Sequence, residues 1–396
     1  MTNSTIITPK AIPLNVKIVL LGSRDLYYLV QDVDDEFNEL FRVLADFEHY
    51  LPFNAQTMKF MSLQLQDQIQ ALDAGPLTAC GLRQLLTFSF RQAEHQRKLS
   101  ARFADVLELV REACYYANQS DDSELTAQHI QQALAGKQYR TGRISESFLE
   151  DIQEGQILID TDGGAVGKVN GLTVLEIGDT AFGTPARISA TVYPGSNGVI
   201  DIEREVELGK AIHSKGVMLL TGYLGAKYAQ NFALTLSANI AMEQSYGLID
   251  GDSASLAEVC ALISAICNVP IHQSLAVTGS INQHGQVQAI GGVNEKIEGY
   301  FRLCQSRGLT GHQGVVIPAS NQLNLVLNDE VVAAVEAGLF HIYVAKTVDD
   351  ALELLTGLVA GEKNSRGQYP KKTLNALTMT RLAAIAELVN GSSDDE

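Results

Sequence analysis

The feature that most constrains this chain is an alternation of strand-like and helix-like segments between residues 141 and about 360. Within it, "RISATVY" and "GVIDIERE" read as antiparallel strands joined by the turn "PGSN". The segments that follow are a helix near 225–244, a helix from 253, the strand "SLAVTGSI", a helix from about 293, the strands "GVVIP" and "FHIYVA", and the helix "TVDDALELLTG". This order predicts an α/β domain with a mixed sheet.

The residues before this domain have a different predicted secondary structure, which is mostly helical. Residues 1–50 contain "NVKIVLLGS", which reads as a buried strand ending in Gly22, and "DEFNELFRVLADFE", whose apolar spacing predicts a helix. Residues 51–140 look wholly helical, so an all-α bundle is expected ahead of the α/β domain. The helix signals in this bundle are Ser100 and Thr126 as N-caps and Gly136 as a helix end.

A polar tail is expected to follow the α/β domain. The domain is expected to span residues 141–360, and the tail residues 361–396. One amphipathic stretch in the tail, "LNALTMTRLAAIAELV", predicts a helix. The end "GSSDDE" is expected to be disordered.

Composition limits the possible function classes. A formal net charge of −17 argues against a general nucleic-acid binder, because phosphate contacts need a basic face. No apolar run approaches the length of a transmembrane helix, and the N-terminal "MTNSTIITPKAIP" has no secretory h-region. The scattered cysteines form no CxxC pair and the histidines no HExxH motif, so buried reduced thiols and no metal site are expected. These features predict a cytoplasmic protein without a membrane partner.

The stretch "DGDSAS" at residues 250–255 places Ser253 at the start of an apolar helical pattern. Backbone N–H groups in the first turn of a helix lack intrahelical partners. A hydroxyl there can therefore cap the helix, or it can be a nucleophile whose oxyanion meets those N–H groups. The small neighbours Gly251, Ala254 and Ser255 leave room for a peptide backbone. The residues alone leave both functions open, and a nucleophilic serine also needs a base.

A candidate base is Lys296 in "AIGGVNEKIEGYFRLC". Val293 lies three residues before it and Tyr300 four residues after it, which places the lysine at the edge of the apolar face of a helix. Desolvation on such a face favours the neutral, basic form of the amine. The alternative is a lysine whose ammonium group reaches past that face into solvent. No histidine occupies a recognisable hydrolase setting, and Gly-x-Ser-x-Gly is absent.

Taken together, these segments resemble one family, the Lon proteases. "DGDSAS" is similar to the nucleophile motif of that family, and "VTGSINQHGQVQAIGGVNEKIEG" at 277–299 resembles the segment that carries its lysine. "VGKVNGLTVLEIG" and "HSKGVMLLTGYL" match two further regions of its proteolytic domain, so the resemblance covers about residues 141–357. It implies a Lon-type proteolytic domain that hydrolyses peptide bonds of unfolded proteins. By this resemblance Ser253 is the nucleophile and Lys296 the general base of a Ser–Lys dyad.

The serine motif follows the archaeal-type branch of the family, with Asp252 before the serine and Ser255 two residues after it. In that branch, an acidic residue at the position of Asp250 can pair with the lysine when the site is inactive. Such a pair would raise the pKa of the lysine. Asp252 is expected to belong to the helix entry, and the resemblance implies that Thr278 lies near the lysine. Ser280 stands where the family often has Glu.

The first 140 residues resemble the end of an AAA+ module with its helical lid. By this resemblance Arg42 lies near the position of an arginine finger, and Arg83 is a candidate for the lid arginine that senses nucleotide. For each arginine, a solvated helix face is the alternative.

No phosphate-binding motif of the form G-x-x-x-x-G-K-[ST] occurs in the sequence, so no cofactor and no ATPase activity are expected of this chain alone. ATP and Mg²⁺ are implied only for an ATPase portion outside it. The chain is expected to be a C-terminal fragment of a larger protease, with a natural truncation as the alternative.

Lon-type domains form six-membered rings, so the resemblance implies self-association around an internal chamber that receives unfolded protein segments. A competing hypothesis is a ring or scaffold module that keeps the fold while Asp250 holds Lys296 charged. The distance between Ser253 Oγ and Lys296 Nζ separates the two hypotheses. Hydrogen-bond reach, about 2.6–3.2 Å, indicates a formed dyad.

Overall fold

The computed structural model describes residues 12–72, 74–178 and 180–391, in two compact units that divide between His49 and Tyr50. The described residues of the first unit form two helices, α1 (Arg24–Val33) and α2 (Phe37–Leu40). Helix α1 begins after Ser23, whose hydroxyl accepts a hydrogen bond from the Leu26 N–H.

Both elements predicted for residues 1–50 differ from the structure. The segment "NVKIVLLGS" forms no strand and is exposed, and "DEFNELFRVLADFE" is helical only over α2. A strand needs a neighbouring strand for its backbone groups, and the described residues of this unit supply none. A short amphipathic helix is stable mainly when its apolar face packs against other residues. Here Leu40 and Leu44 are exposed, so the longer predicted helix lacks that packing.

The second unit begins with a helical region. Its helices are α3 (Ala55–Ala71), α4 (Ala79–Gln92), α5 (Phe103–Gln119), α6 (Ala127–Thr141) and α7 (Arg143–Gln153). Apolar side chains of α3 to α6 share one core, which includes Met61, Leu85, Val110 and Ile130. The prediction of a wholly helical zone is wrong at one place, because β1 (Tyr50–Pro52) and β2 (Lys98–Ser100) pair as antiparallel strands.

The helix ends in this region confirm one of the three predicted signals. Thr126 is the N-cap of α6, as predicted. Ser100 is not a cap, because it lies in β2 and α5 begins only after Arg102. Helix α6 continues through Gly136, where a Cβ atom would lie 2.9 Å from the Glu112 carboxylate of α5. This glycine therefore lies inside α6, facing side chains of α5, instead of ending the helix.

The α/β part of the second unit is built on a seven-stranded mixed sheet, which confirms the predicted fold class. In spatial order the strands are β13 (His341–Ala345), β12 (Gly314–Pro318), β9 (Leu275–Val277), β4 (Lys168–Ile177), β5 (Thr180–Pro194), β7 (Leu236–Met242) and β6 (Gly198–Asp201). The pairs β4–β5 and β5–β7 are antiparallel, and the other pairs are parallel. Two short ribbons are formed by β3 (Gly164–Ala165) with β8 (Ile271–His272) and by β10 (Ser280–Ile281) with β11 (Val287–Gln288).

Helices cover both faces of this sheet. They are α8 (Ile202–Glu205), α9 (Ala211–Tyr228), α10 (Ser255–Cys267), α11 (Val293–Arg307), α12 (Asp329–Glu336), α13 (Val348–Thr356) and α14 (Leu374–Gly391), with a 3-10 helix at Ala319–Asn324. Val277 of β9 packs in the core that contains α9, α10, α13 and α14, whereas Ala276 packs in the core that contains α11 and α12. Adjacent side chains of a strand point to opposite faces, so α10 and α11 lie on opposite sides of β9.

Three elements predicted for this domain are wrong. The single strand predicted for "SLAVTGSI" is divided into β9 of the main sheet and β10 of a separate ribbon. "RISATVY" and "GVIDIERE" do not form a hairpin, because β7 lies between β5 and β6 and pairs with both. The helix predicted near 225–244 is displaced, since α9 ends at Tyr228 and the segment "LSANIAM" forms β7. Most residues of β7 are buried, and a strand covered on both faces loses the alternation that would identify it.

The later elements agree with the sequence. Helices α11 and α13 and strands β12 and β13 lie where they were predicted, and the predicted tail helix forms as α14. Helix α14 is part of the main core, because Leu374, Leu382 and Ile385 are buried together with α10. Residues 392–396, which make up most of the predicted disordered end, lie outside the described residues.

The five cysteines differ in their exposure to solvent. All five cysteines are free thiols, and Cys114, Cys260 and Cys304 are buried. Cys80 is exposed, so the expectation of burial is wrong there. No helix among the described residues is long and apolar enough to cross a membrane.

Candidate active site

Ser253 lies in a turn two residues before α10. The helix begins at Ser255 after Ala254, and no side chain caps it, so the interpretation of Ser253 as a helix cap is wrong. Gly251 adopts a φ of +90° in this turn, a conformation that residues with a side chain rarely adopt. The Ser253 hydroxyl is therefore free for another partner.

Backbone hydrogen bonds fix this turn against the chain that follows β9. The Gly279 N–H donates to the Ser253 carbonyl (2.9 Å), and the Leu256 N–H donates to the Gly279 carbonyl (3.1 Å). The Ser255 hydroxyl accepts from the Ile281 N–H at the start of the next ribbon (3.1 Å). The serine is thus held at the carboxyl end of a sheet strand by a rigid scaffold.

Lys296 reaches the same point from the opposite face of the sheet. Its Nζ lies 2.9 Å from Ser253 Oγ and 3.3 Å from Thr278 Oγ1. The lysine is 3% exposed, so the interpretation of an ammonium group reaching into solvent is wrong. Thr278 directly follows β9 and also donates to the Ser253 carbonyl (3.4 Å), so it contacts both members of the pair.

The environment of Lys296 lowers the pKa of its amine towards neutral pH. Burial lowers the pKa of the ammonium group from its ordinary 10.5 to about 8, because the charged form loses hydration. The negative charges of Asp252 and Glu295 act in the opposite direction and limit this fall. A lysine with a pKa near 8 is neutral often enough at physiological pH to act as a general base.

The two aspartates of the motif have different surroundings. The Asp250 carboxylate pairs with Lys210 (3.4 Å), and both side chains are about half exposed. The pair between Asp250 and Lys296 that would mark a silenced site is therefore absent from this structure. Asp252 is the carboxylate whose charge acts on Lys296, and its carbonyl accepts a hydrogen bond from the Ser255 N–H at the helix entry (3.0 Å).

Among the described residues, the other candidates, Ser280, Arg83 and Arg42, make no side-chain hydrogen bond to Ser253 or Lys296. Ser280 is buried in β10, where its backbone pairs with Gln288. Arg83 is exposed on α4, and Arg42 is exposed in the first unit, where its Nε donates to the Glu39 carbonyl (3.1 Å). The nucleotide-sensing roles of both arginines remain predictions.

A buried polar cluster close to the serine turn was not predicted from the sequence. Asp201, Glu203, His213 and Glu258 are each at most 5% exposed. The His213 imidazole lies 3.3 Å from Asp201 Oδ2 and 3.8 Å from Glu258 Oε1. Burial raises the pKa of Glu258 to about 7. Burial lowers the pKa of His213, but its hydrogen bond to Asp201 and the other carboxylates raise it above the ordinary value overall.

One ligand atom from each of Asp201, Glu203 and His213 lies within 4.8 Å of the other two, so these three side chains could together hold a metal ion. The cluster lies next to the serine turn, because Glu258 belongs to the first turn of α10 and its carboxylate lies 3.8 Å from His213. The spacing of these residues in the sequence matches no common ligand motif, so the sequence alone does not indicate that they lie together.

Comparison with known protein families gives three matches along the chain. Residues 159–357 match the Lon protease C-terminal proteolytic domain. The chain belongs to the Lon protease family. Residues 76–140 of this Lon-family chain match the archaeal LonB AAA+ ATPase LID domain, and residues 1–48 match a LonB-like AAA domain.

Individual relatives carry the same family name. A putative Lon protease homolog of Escherichia coli is 37% identical over 374 residues, covering 88% of this chain and 59% of that protein. One from Haemophilus influenzae is 37% identical over 387 residues, covering 97% of this chain and 62% of that protein. An archaeal Lon protease of Thermococcus kodakarensis is 28% identical over 278 residues, covering 67% of this chain and 39% of that protein. The matched region spans about three-fifths of the length of the two bacterial relatives, and the matches support a peptidase.

Proposed function

We propose that this Lon-family chain is a serine endopeptidase that uses Ser253 and Lys296 as its catalytic dyad. The observation that carries the proposal is the 2.9 Å separation between Lys296 Nζ and Ser253 Oγ at a lysine that is 3% exposed. A nucleophile and a base within hydrogen-bond reach are what acyl transfer through a serine requires. Membership of the Lon family supports a peptidase, and the geometry supports this pair of side chains for the chemistry.

Peptide cleavage would proceed in two halves. The neutral amine of Lys296 accepts the Ser253 hydroxyl proton while Oγ attacks the scissile carbonyl carbon, and the resulting ammonium group then protonates the leaving amine. An ester between Ser253 and the acyl half of the substrate remains. The same amine next takes a proton from water as the water attacks this ester, and returns it to Ser253 as the acid product leaves.

The serine turn also offers donors for the tetrahedral oxyanion. Among the described residues, the N–H groups of Asp252 and Ser253 donate to no protein acceptor. Both groups lie just before α10, whose N-terminus carries a positive partial charge. We assign the oxyanion site to these two N–H groups, because preorganised donors at this position stabilise developing negative charge.

The proposal extends to the assembly in which the dyad works. We expect a ring of six chains in the cytoplasm, with the dyads facing a chamber that receives unfolded protein segments. The sequence has no phosphate-binding loop, so ATP and Mg²⁺ would be bound by an ATPase portion outside it. Without that portion, we expect cleavage of peptides and unstructured proteins only. A particle six times the mass of one chain in solution would support the ring, and a monomer at every concentration would contradict it.

The test of the chemistry is hydrolysis of an unstructured peptide with a fluorophore and a quencher at its ends. Ser253→Ala and Lys296→Ala should each reduce kcat by about 1,000-fold or more, because each removes one half of the dyad. Ser196→Ala and Lys371→Ala are matched controls, since both residues are exposed and lie outside the site, and they should retain full activity. A wild type that is no faster than the dyad variants at any pH would overturn the proposal and favour the scaffold module.

A further inference from the structure

One arginine of the helical region is bonded to the helix that carries Lys296. Arg91, in the last turn of α4, donates to both carboxylate oxygens of Glu298 (2.6 and 2.8 Å) and to Glu295 Oε1 (2.8 Å). It also donates to the Val326 carbonyl (2.7 Å). The three charged side chains are all less than one-quarter exposed, so this contact is largely shielded from solvent. Bidentate guanidinium–carboxylate pairs of this kind are both strong and geometrically specific.

The same contact fixes the first turns of α11. Asn294, fully buried two residues before Lys296, donates to the Asn324 carbonyl (2.9 Å) and accepts from the Val326 N–H (2.7 Å). Arg91 binds the carbonyl of that Val326 residue, so the helical region and α11 bind one shared segment. Gln96 adds two bonds from the helical region to the Gln322 and Leu325 carbonyls (3.1 and 3.0 Å).

The charge of Glu295 connects this contact to the dyad by an electrostatic interaction with Lys296. It is adjacent to Lys296 in the chain, and its negative charge acts to raise the lysine pKa against the larger effect of burial. Among the described residues, Arg91 is its ion-pair partner, and the second carboxylate oxygen of Glu295 is buried without a hydrogen-bond donor. The positive charge that offsets Glu295 therefore comes from Arg91 of the helical region, which also brings the carboxylate of Glu94 near Glu295. The other carboxylate whose charge acts on Lys296 is Asp252, which precedes the serine.

We propose that Arg91 is a positioning residue for the catalytic lysine: bonded to α11, it offsets the charge of Glu295 beside Lys296, and so the lysine is more readily a base while the helical region is docked on α11 than when it is not. If α4 moves away from α11, an uncompensated carboxylate remains next to Lys296 and holds its ammonium form. Docking of the helical region on α11 therefore raises the fraction of Lys296 that is neutral and can act as a base. The inference rests on the proposed function, because only a lysine that acts as a base passes this effect to turnover.

The experiment compares the pH dependence of kcat/KM for peptide hydrolysis by the full chain and three variants. Arg91→Gln should shift the midpoint of the rise to higher pH by roughly 0.5 to 1 unit, with about a three- to tenfold loss below the midpoint and recovery at high pH. Glu295→Gln should shift the midpoint to lower pH. In the double variant the Arg91 substitution should have no further effect on the midpoint, because the charge it offsets is gone.

Arg102→Gln is the matched control, because Arg102 is an exposed arginine of the helical region that pairs with Asp105 and should leave the midpoint unchanged. Unchanged thermal unfolding would show that the variants fold. An Arg91→Gln profile with the wild-type midpoint and a uniformly lower rate would indicate a purely structural contact and overturn the proposal.

A second measurement separates this proposal from the function on which it rests. Lysine-selective NMR with ¹³C at Cε follows the titration of Lys296 directly, and the Lys296→Met spectrum assigns the signal. We expect the same upward shift in Arg91→Gln whether or not the chain hydrolyses the peptide. Absence of Ser253-dependent hydrolysis would reject the proposed function alone, whereas an unshifted Lys296 titration would reject the role of Arg91.

Discussion

At the scale of single residues, the site depends on the burial of one amine next to one hydroxyl. Lys296 is held among apolar neighbours on α11, so its charged form is disfavoured, and its Nζ has Ser253 and Thr278 as hydrogen-bond partners. Thr278 is itself fully buried and contacts both dyad residues. The proposed chemistry would therefore need three side chains from three segments of the chain to keep one geometry.

The first prediction concerns pH. In the proposed mechanism Lys296 acts as a base only when neutral, and burial lowers its pKa from 10.5 to about 8. Peptide kcat/KM should therefore rise about tenfold per pH unit below pH 8 and level off above it. Initial rates between pH 6 and pH 10 measure this profile. A midpoint near 10.5 would mean that the lysine is hydrated in solution, contrary to its position here.

The second prediction concerns Thr278. Thr278→Val keeps the shape of the side chain but removes the hydroxyl that lies 3.3 Å from Lys296 Nζ and 3.4 Å from the Ser253 carbonyl. We expect kcat to fall by about tenfold with little change in KM, because the base and the serine turn lose a shared support. Thr278→Ser restores the hydroxyl and should recover most of the rate. Equal kcat values for Thr278→Val and wild type would show that the hydroxyl is dispensable.

At the scale of elements, the position of α11 is set by a glycine contact with β5. A Cβ atom at Gly299 would lie 2.0 Å from the Gly183 carbonyl oxygen, and one at Gly183 would lie 2.0 Å from the Glu295 carbonyl oxygen. Two backbones can approach this closely only where neither residue has a side chain. This close packing places Lys296, one turn before Gly299, near the end of β9.

The third prediction tests that contact. Gly299→Ala should force α11 away from β5, reduce kcat and lower the free energy of unfolding by roughly 1–3 kcal/mol, as overpacking does in cores. Gly225→Ala in α9 is the control, since a Cβ there meets no atom within 4 Å, and it should be neutral or stabilising by up to about 1 kcal/mol. Urea denaturation and peptide hydrolysis measure both effects. Similar stabilities for the two variants would contradict the close packing.

At the scale of the whole molecule, the proposed dyad lies at the end of β9, between the cores on the two faces of the sheet. The serine turn leads into α10 in one core, and the lysine belongs to α11 in the other, with the end of β9 between them. Helix α14, close to the C-terminus of the sequence, completes the core around α10 through Leu374, Leu382 and Ile385. The segment after residue 360 therefore contributes to the stability of the serine face.

The fourth prediction tests the contribution of α14. Leu382 is 3% exposed and Leu377, on the same helix, is 37% exposed. Leu382→Ala should lower the free energy of unfolding by about 2–4 kcal/mol, because it leaves a cavity in the α10 core, and Leu377→Ala should cost less than about 1 kcal/mol. Thermal and chemical unfolding give both values. Equal costs for the two variants would mean that α14 is not part of this core in solution.

The sequence alone predicted the helices and strands that are specified by residues close together in the chain. Helices α11 and α13 and strands β12 and β13 were predicted because apolar period, caps and flanking breakers are short-range properties. The same short-range reasoning failed where neighbours decide. The segment "NVKIVLLGS" has the composition of a strand but no pairing partner among the described residues of its unit, and β7 has no visible alternation because both of its faces are covered.

By itself, the sequence supplied the candidates for the site, Ser253 and Lys296, but it left each with a second interpretation. Only the tertiary structure excluded the second interpretations and brought the two side chains together, because a helix cap is a local contact whereas the bond from Lys296 to Ser253 spans 43 residues and joins two faces of a sheet. The same holds for the partner of Asp250, which is Lys210, and for Arg91, whose role depends on a helix more than 200 residues away. Spacing fixes which side chains share a face, but burial and charge come from whatever the fold brings against that face.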